Sequence, residues 1–231
     1  MKRQVLNFGK SKVLYRTEKS NLIVMKFLDW VHGGGREEKI SGTGKIRADI
    51  CEIFFRQLTK HGITTHFKKR LSDTELLVER LVMYKLEIVG RNIAAGSLVK
   101  NYPYNLGDLL DPPLINFHLK LDPDPLLNEG IIYSLNLASN DEINRLTLLA
   151  KKVNKVLSGF LNNKGIMLVD FKFEAGKRAD GSIVVGDEIS CDSARLWDSK
   201  LNQSLDKDIF RYQKGDILAV YNLLRQKIIN G

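Results

Sequence analysis

The amino-acid sequence predicts an α+β fold in two lobes: an antiparallel-sheet lobe over residues 1–82 and a larger α+β lobe over residues 83–231. Near the N-terminus, the β-rich runs Lys12 to Arg16 and Leu22 to Leu28 flank the polar stretch Thr17-Glu18-Lys19-Ser20-Asn21 and read as a hairpin. Apolar residues then recur at helical spacing at Ile46, Ile50, Phe54 and Leu58, and again at Ile143, Leu146, Ala150, Val153, Leu157 and Leu161. A second pair of β-rich runs, Ile166 to Glu174 and Ile183 to Ile189, brackets Asp180-Gly181, a dipeptide suited to hairpin turns.

Between these landmarks the chain reads as follows. The stretch from His32 to Gly44 looks mobile, and Gly62 closes the first helix as a C-terminal stop. Short strands follow around Thr64 to Phe67, Leu76 to Glu79 and Leu86 to Gly90, with Ser72-Asp73-Thr74 as the turn between the first two. Ser139-Asn140-Asp141-Glu142 has capping-box spacing and opens the long helix, which ends before Gly165. Ile217, Val220, Tyr221, Leu224 and Ile228 make a terminal helix.

With 43% hydrophobic and 27% charged residues, the 231-residue chain has the composition of a soluble globular protein. No apolar run approaches the roughly 18 residues of a membrane span, and Met1-Lys2-Arg3 leads into an apolar run too short for a signal-peptide core, so a cytoplasmic location is expected. Cys51 and Cys191 lack C-x-x-C spacing and read as two unpaired thiols. The net charge of +9 has two readings, a nucleic acid or a cleft for several small polyanions. Aromatics make up only 8% and do not interleave with basic residues, which favours small molecules and no nucleic acid.

Two motifs carry candidate chemistry. A two-residue turn at Asp180-Gly181 would set Glu174 opposite Asp187, and facing carboxylates repel unless a cation joins them. Mg²⁺, which takes one or two carboxylates and completes its shell with water and phosphate, is one reading; a solvated polar hairpin neutralised by Lys172 is the other. Phe8-Gly9-Lys10-Ser11-Lys12 places alternate lysines on an extended segment, side by side for a triphosphate or simply solvated. It is neither a Walker A loop nor a G-x-G-x-x-G.

Arg91-Asn92-Ile93-Ala94-Ala95-Gly96-Ser97 resembles the R-N-x-x-A-G-S signature of the SAICAR synthetase family. Leu168-Val169-Asp170-Phe171-Lys172-Phe173-Glu174 is similar to its L-V-D-F-K-x-E strand, and Gly186-Asp187-Glu188 through Arg195-Leu196-Trp197-Asp198 to its G-D-E-x-S-P-D-x-x-R-L-W-D stretch. Gly9-Lys10-Ser11-Lys12, Asp124-Pro125 and Asp206-Lys207-Asp208 with Phe210-Arg211 agree in order along the chain.

The resemblance implies ATP in a cleft between the lobes and the ATP-dependent joining of L-aspartate to carboxyaminoimidazole ribonucleotide (CAIR) through an acyl phosphate. By position, Lys10 and Lys12 would meet the ATP phosphates, Met83 would border the adenine, and Glu174 with Asp187 would hold Mg²⁺. Arg91, Ser97 and Arg195 would bind the ribonucleotide, Lys120 and Lys172 would neighbour phosphate or carboxylate, and Asp192 joins Lys12 and Lys172 as a catalytic candidate. A homodimer is implied as well. A kinase is the rival reading, but H-R-D and D-F-G motifs are absent.

Departures from the pattern fall at Cys191, where the family has proline, and at Ala175, where an aromatic is usual. Asp29-Trp30-Val31-His32 lacks the expected Ser or Thr and Ala after the aspartate, so Asp29 is kept as a possible site residue. The segment between Lys120 and Asp124 is shorter than the pattern. Gly33-Gly34-Gly35 and Gly42-Thr43-Gly44 are read either as a lid that excludes water or as an inert loop.

Overall fold

The computed structural model describes residues 3–121 and 124–230. Residues 1 and 2 of the basic start, and residues 122 and 123 of the shortened segment, lie outside the described residues. The chain begins with strands β1 (Val5–Phe8), β2 (Lys12–Arg16) and β3 (Leu22–Phe27), then a small hairpin, β4 (Trp30–Gly33) and β5 (Arg36–Lys39). Helix α1 (Thr43–Lys60) leads to β6 (Phe67–Ser72), β7 (Glu75–Glu79), β8 (Val82–Met83) and β9 (Leu86–Ile93). Next come α2 (Ser97–Asn101), β10 (Leu109–Leu119), β11 (Leu126–Leu127), α3 (Glu129–Ser134) and α4 (Asn140–Asn162). The chain finishes with β12 (Ile166–Lys177), β13 (Ile183–Gly186), β14 (Ala194–Asp198), α5 (Asp208–Arg211) and α6 (Ile217–Asn230).

A five-stranded sheet in the order β1-β2-β3-β7-β6 forms the N-terminal part. A seven-stranded sheet runs β11-β10-β9-β12-β13, with β14 and β8 also paired to the twelve-residue β12. The two sheets meet where Thr65 bridges Val185, with His66 N–H donating to the Val185 carbonyl at 2.9 Å. Helix α1 packs on β3 and β7 and also on α4 and α6, so one continuous core runs from Met25 and Phe54 through Leu146 and Phe171 to Tyr221. No helix among the described residues is long and apolar enough to cross a membrane.

Local signals explain most of these elements. Ser139 Oγ accepts the Glu142 N–H at 3.2 Å while Glu142 Oε2 accepts the Ser139 N–H at 2.8 Å, a closed capping box that starts α4. Past the end of α1, Gly62 takes φ +76°, the left-handed conformation glycine adopts without strain.

Several expectations need correction. The stretch read as mobile is the β4–β5 hairpin followed by the start of α1; a Cβ on Gly34 would stand 2.5 Å from the Arg211 carbonyl oxygen, so the hairpin turn sits hard against α5. The strand expected over Thr64 to Phe67 starts only at Phe67. Gly9-Lys10-Ser11 is a turn between β1 and β2, closed by Gly9 N–H to the Lys12 carbonyl at 2.9 Å, rather than an extended run. Finally, β12 and β13 pair Glu174 with Gly186, one residue away from the expected partner Asp187. Arg178 N–H bonds the Ser182 carbonyl, leaving residues 179–181 in the turn, and Asp180 Oδ1 accepts from the Ser182 N–H at 2.9 Å. That side-chain bond favours the longer turn.

Candidate active site

Alternation along β12 places Asp170, Lys172 and Glu174 on one face, and Glu87, Val89 and Arg91 share a face of β9 in the same way. Together these faces floor two adjoining cavities. The larger, about 590 Å³, is bounded by the β1–β2 turn, the inner face of the five-stranded sheet, and Leu81 and Met83. Lys10, Lys12, Met83, Lys120, Glu174 and Asp187 all line it. The smaller, about 330 Å³, takes in Arg91, Ser97, Asp170, Arg195 and Arg211. Glu87, Lys172, Asp192, Ser193 and Lys207 line both cavities. Asp29 lines neither; its Oδ1 accepts the Gly44 N–H at 2.8 Å at the head of α1.

In the larger cavity the electrostatics are those of a buried anion cluster held by lysine. Lys12 Nζ contacts Asp187 Oδ2 at 2.7 Å and Glu188 Oε2 at 3.1 Å. Burial disfavours the ammonium, but these two carboxylates outweigh it and hold the Lys12 pKa above the usual lysine value. Asp187 leaves strand geometry at φ +56°, and Lys12 keeps its carboxyl ionised against the effect of burial. Glu174 is pushed up to about 7, first by burial and then by the charge of Asp187, although Lys120 Nζ lies 2.5 Å from its Oε1. A carboxyl that holds a proton near neutrality is one a divalent cation can occupy instead.

The smaller cavity presents guanidinium groups. Arg195 Nη1 and Arg91 Nη1 approach Asp170 Oδ2 at 2.6 and 3.3 Å, Arg91 Nη2 donates to Ser97 Oγ at 3.2 Å, and Arg195 Nε donates to Asp208 Oδ2 at 2.9 Å. Gly96, at φ +58°, lies under the Arg195 guanidinium; a Cβ there would stand 2.5 Å from Nη2. On the wall common to both cavities, Lys172 Nζ donates to Glu87 at 2.8 and 3.0 Å and lies 4.0 Å from Asp124. Asp192 is held down at about 2: burial opposes its charge, but Lys207 at 3.3 Å and Arg47 at 3.6 Å prevail.

A model of the SAICAR synthetase family matches residues 5–227. The chain belongs to the SAICAR synthetase family. It is 43% identical to a phosphoribosylaminoimidazole-succinocarboxamide synthase of Methanoculleus marisnigri, over 98% of this chain and 95% of that protein. A solved SAICAR synthetase in complex with ADP is 40% identical, with a TM-score of 0.95 over 99% of this chain and 98% of that one. The SAICAR synthetase of Pyrococcus horikoshii is 38% identical, with a TM-score of 0.87 over 100% and 98%. The chain is therefore an ATP-dependent ligase that joins L-aspartate to CAIR in purine biosynthesis, with ATP as cosubstrate and Mg²⁺ as its companion ion.

For a SAICAR synthetase, sequence reasoning passed over several residues that the fold brings to the site: Glu87, Asp170, Glu188, Lys207 and Arg47. Asp170 had a signal, since it stands two residues before Lys172 on the same alternating strand. Arg47 had one as well, an arginine three residues before Ile50 and seven before Phe54 on the apolar face of α1. Glu87 had none, because only the pairing of β9 with β12 brings it to Lys172.

Proposed function

We propose that the larger cavity binds ATP, the smaller one binds CAIR, and the γ-phosphate passes to the CAIR carboxylate where the two meet. The wall common to both cavities supports this reading, because one set of charged side chains lines both of them. In this reading residues 1–82 and 83–231 act as the two lobes around ATP. Lys10 and Lys12 offset the triphosphate charge, and Met83 borders the adenine. Lys120, 52% exposed and bonded to Glu174, is placed to exchange that carboxylate for a phosphate oxygen.

Glu174 and Asp187 would hold Mg²⁺. Their hard oxygen donors line one cavity and fit it, since Mg²⁺ takes one or two carboxylates and completes its shell with phosphate and water. The ion supplies positive charge to the phosphate oxygens when bound. Arg91 and Arg195 grip the ribonucleotide phosphate, with Ser97 bonded to Arg91. Lys172 steadies the carboxylate on the common wall. Asp192, too weak a base at a pKa of about 2 to store a proton, instead orients the incoming amine of L-aspartate.

Attack of the CAIR carboxylate on the γ-phosphate gives an acyl phosphate and ADP; the amine then displaces phosphate. One carboxylate oxygen must leave with that phosphate. With ¹⁸O in the CAIR carboxylate, one labelled oxygen is expected in each inorganic phosphate, and unlabelled phosphate would refute the acyl phosphate. Arg91→Lys is expected to raise KM for CAIR about tenfold or more and leave KM for ATP within about twofold, since an ammonium cannot reproduce the guanidinium fork. An unchanged KM for CAIR removes Arg91 from that site. Family membership supports two further parts of the reading, a homodimer and a cytoplasmic location; sedimentation at twice the chain mass tests the first.

A further inference from the structure

Arg47 on α1 is a charged side chain with 0% exposure, and no step above uses it. A guanidinium so completely removed from water is costly unless its charge is paired, and here both Nη groups find partners while Nε is buried without one. Its Nη1 lies 3.6 Å from Asp192 Oδ2 and 3.5 Å from the Ser11 carbonyl. Its Nη2 donates to the Leu28 carbonyl and lies 3.3 Å from that of Trp30. One planar group thus touches the turn that carries Lys10 and leads into Lys12, the chain leaving β3, the start of β4, and the carboxylate on the common wall.

Asp192 has two other partners, Lys207 at 3.3 Å and the Tyr221 hydroxyl, which donates at 2.9 Å. Lys207 is 16% exposed and lines both cavities, so an anionic substrate can draw it away. Arg47 is sealed and cannot follow. Next to Asp192 stands Cys191, buried and without the ring by which a proline would fix φ there.

We infer that Arg47 is a positioning residue for the ligation: it fixes the Asp192 carboxylate between the two cavities and ties it to the lysine-bearing turn at Ser11. The inference rests on the proposed place of Asp192 in the active site. It is tested by comparing kcat for Arg47→Lys, Asp192→Asn and the double variant, with ADP binding and thermal unfolding as checks on the fold.

Asp192→Asn is expected to lower kcat at least about a hundredfold. Arg47→Lys should lower it about tenfold, with KM for ATP within about twofold, and should cost less than about twofold more once Asp192 is already replaced. A full tenfold loss on top of Asp192→Asn overturns the inference, because Arg47 then acts independently of that carboxylate. Near-normal kcat in Asp192→Asn sinks the reading of Asp192 itself and this inference with it. Should Arg47→Lys fail to fold, Arg47→Gln takes its place in the same comparison; failure of both to fold assigns Arg47 to the fold alone and also overturns the inference.

Discussion

Replacing Glu174 by glutamine is expected to lower kcat for SAICAR formation on the order of a thousandfold, with the fold intact. The substitution keeps the size and shape of the side chain and removes one of the two carboxylates proposed to hold Mg²⁺. It should also leave an electrostatic signature in the ligand-free protein. Glu174 titrates near 7 in the folded chain against an ordinary value of 4.5, so between those pH values the folded state binds more protons than the unfolded one. Its contribution to stability is therefore lost as pH rises through that window, and glutamine escapes the loss. The variant is expected to be more stable than the parent at pH 8 without Mg²⁺, by about 1–3 kcal/mol, and to show no such gain at pH 4.5. Urea unfolding at both pH values checks this; a variant that is less stable at pH 8 contradicts the assignment of Glu174 as a strained, metal-seeking carboxylate.

The second large effect is expected at Lys12. Lys12→Met leaves Asp187 and Glu188 buried without their shared cation, and breaking a buried pair in this way costs about 3–5 kcal/mol. With Lys12 present, the Asp187 carboxyl is held below its ordinary value, and the stability this gives is present above pH 3.8 and is lost as pH falls further. The gap between parent and variant should thus be widest at neutral pH and narrow in acid, where the stranded carboxylates take up protons. Thermal unfolding followed from pH 4 to pH 8 measures that gap. A gap independent of pH would mean that the lysine stem packs but its charge does nothing.

Much of this architecture was legible because the relevant forces are local. The apolar spacing from Ile46 to Leu58 and the Ser139–Glu142 box fix two helices without reference to the rest of the chain. The strand Leu168 to Glu174 betrays its two faces by alternation, and so brings Lys172 and Glu174 to the site. The β4–β5 hairpin escaped because β5, Arg36-Glu37-Glu38-Lys39, is fully exposed and carries no apolar pattern to read. Register at Asp180-Gly181 escaped for a different reason. Gly181, at φ +79°, suits either a two-residue or a three-residue turn, and the Asp180 bond to Ser182 that favours the latter involves side-chain geometry rather than composition. Glu174 and Asp187 reach the same cavity all the same, because Asp187 bends out of the strand just past the paired Gly186.

Because α1 packs against β3 and β7 and also against α4 and α6, the interior of the N-terminal part is continuous with that of the rest of the chain. Calorimetry should accordingly record a single endotherm whose van't Hoff and measured enthalpies agree, and neither half expressed alone should give a cooperative melt. Breathing that admits substrates is then expected in turns and strand ends, leaving the shared interior undivided.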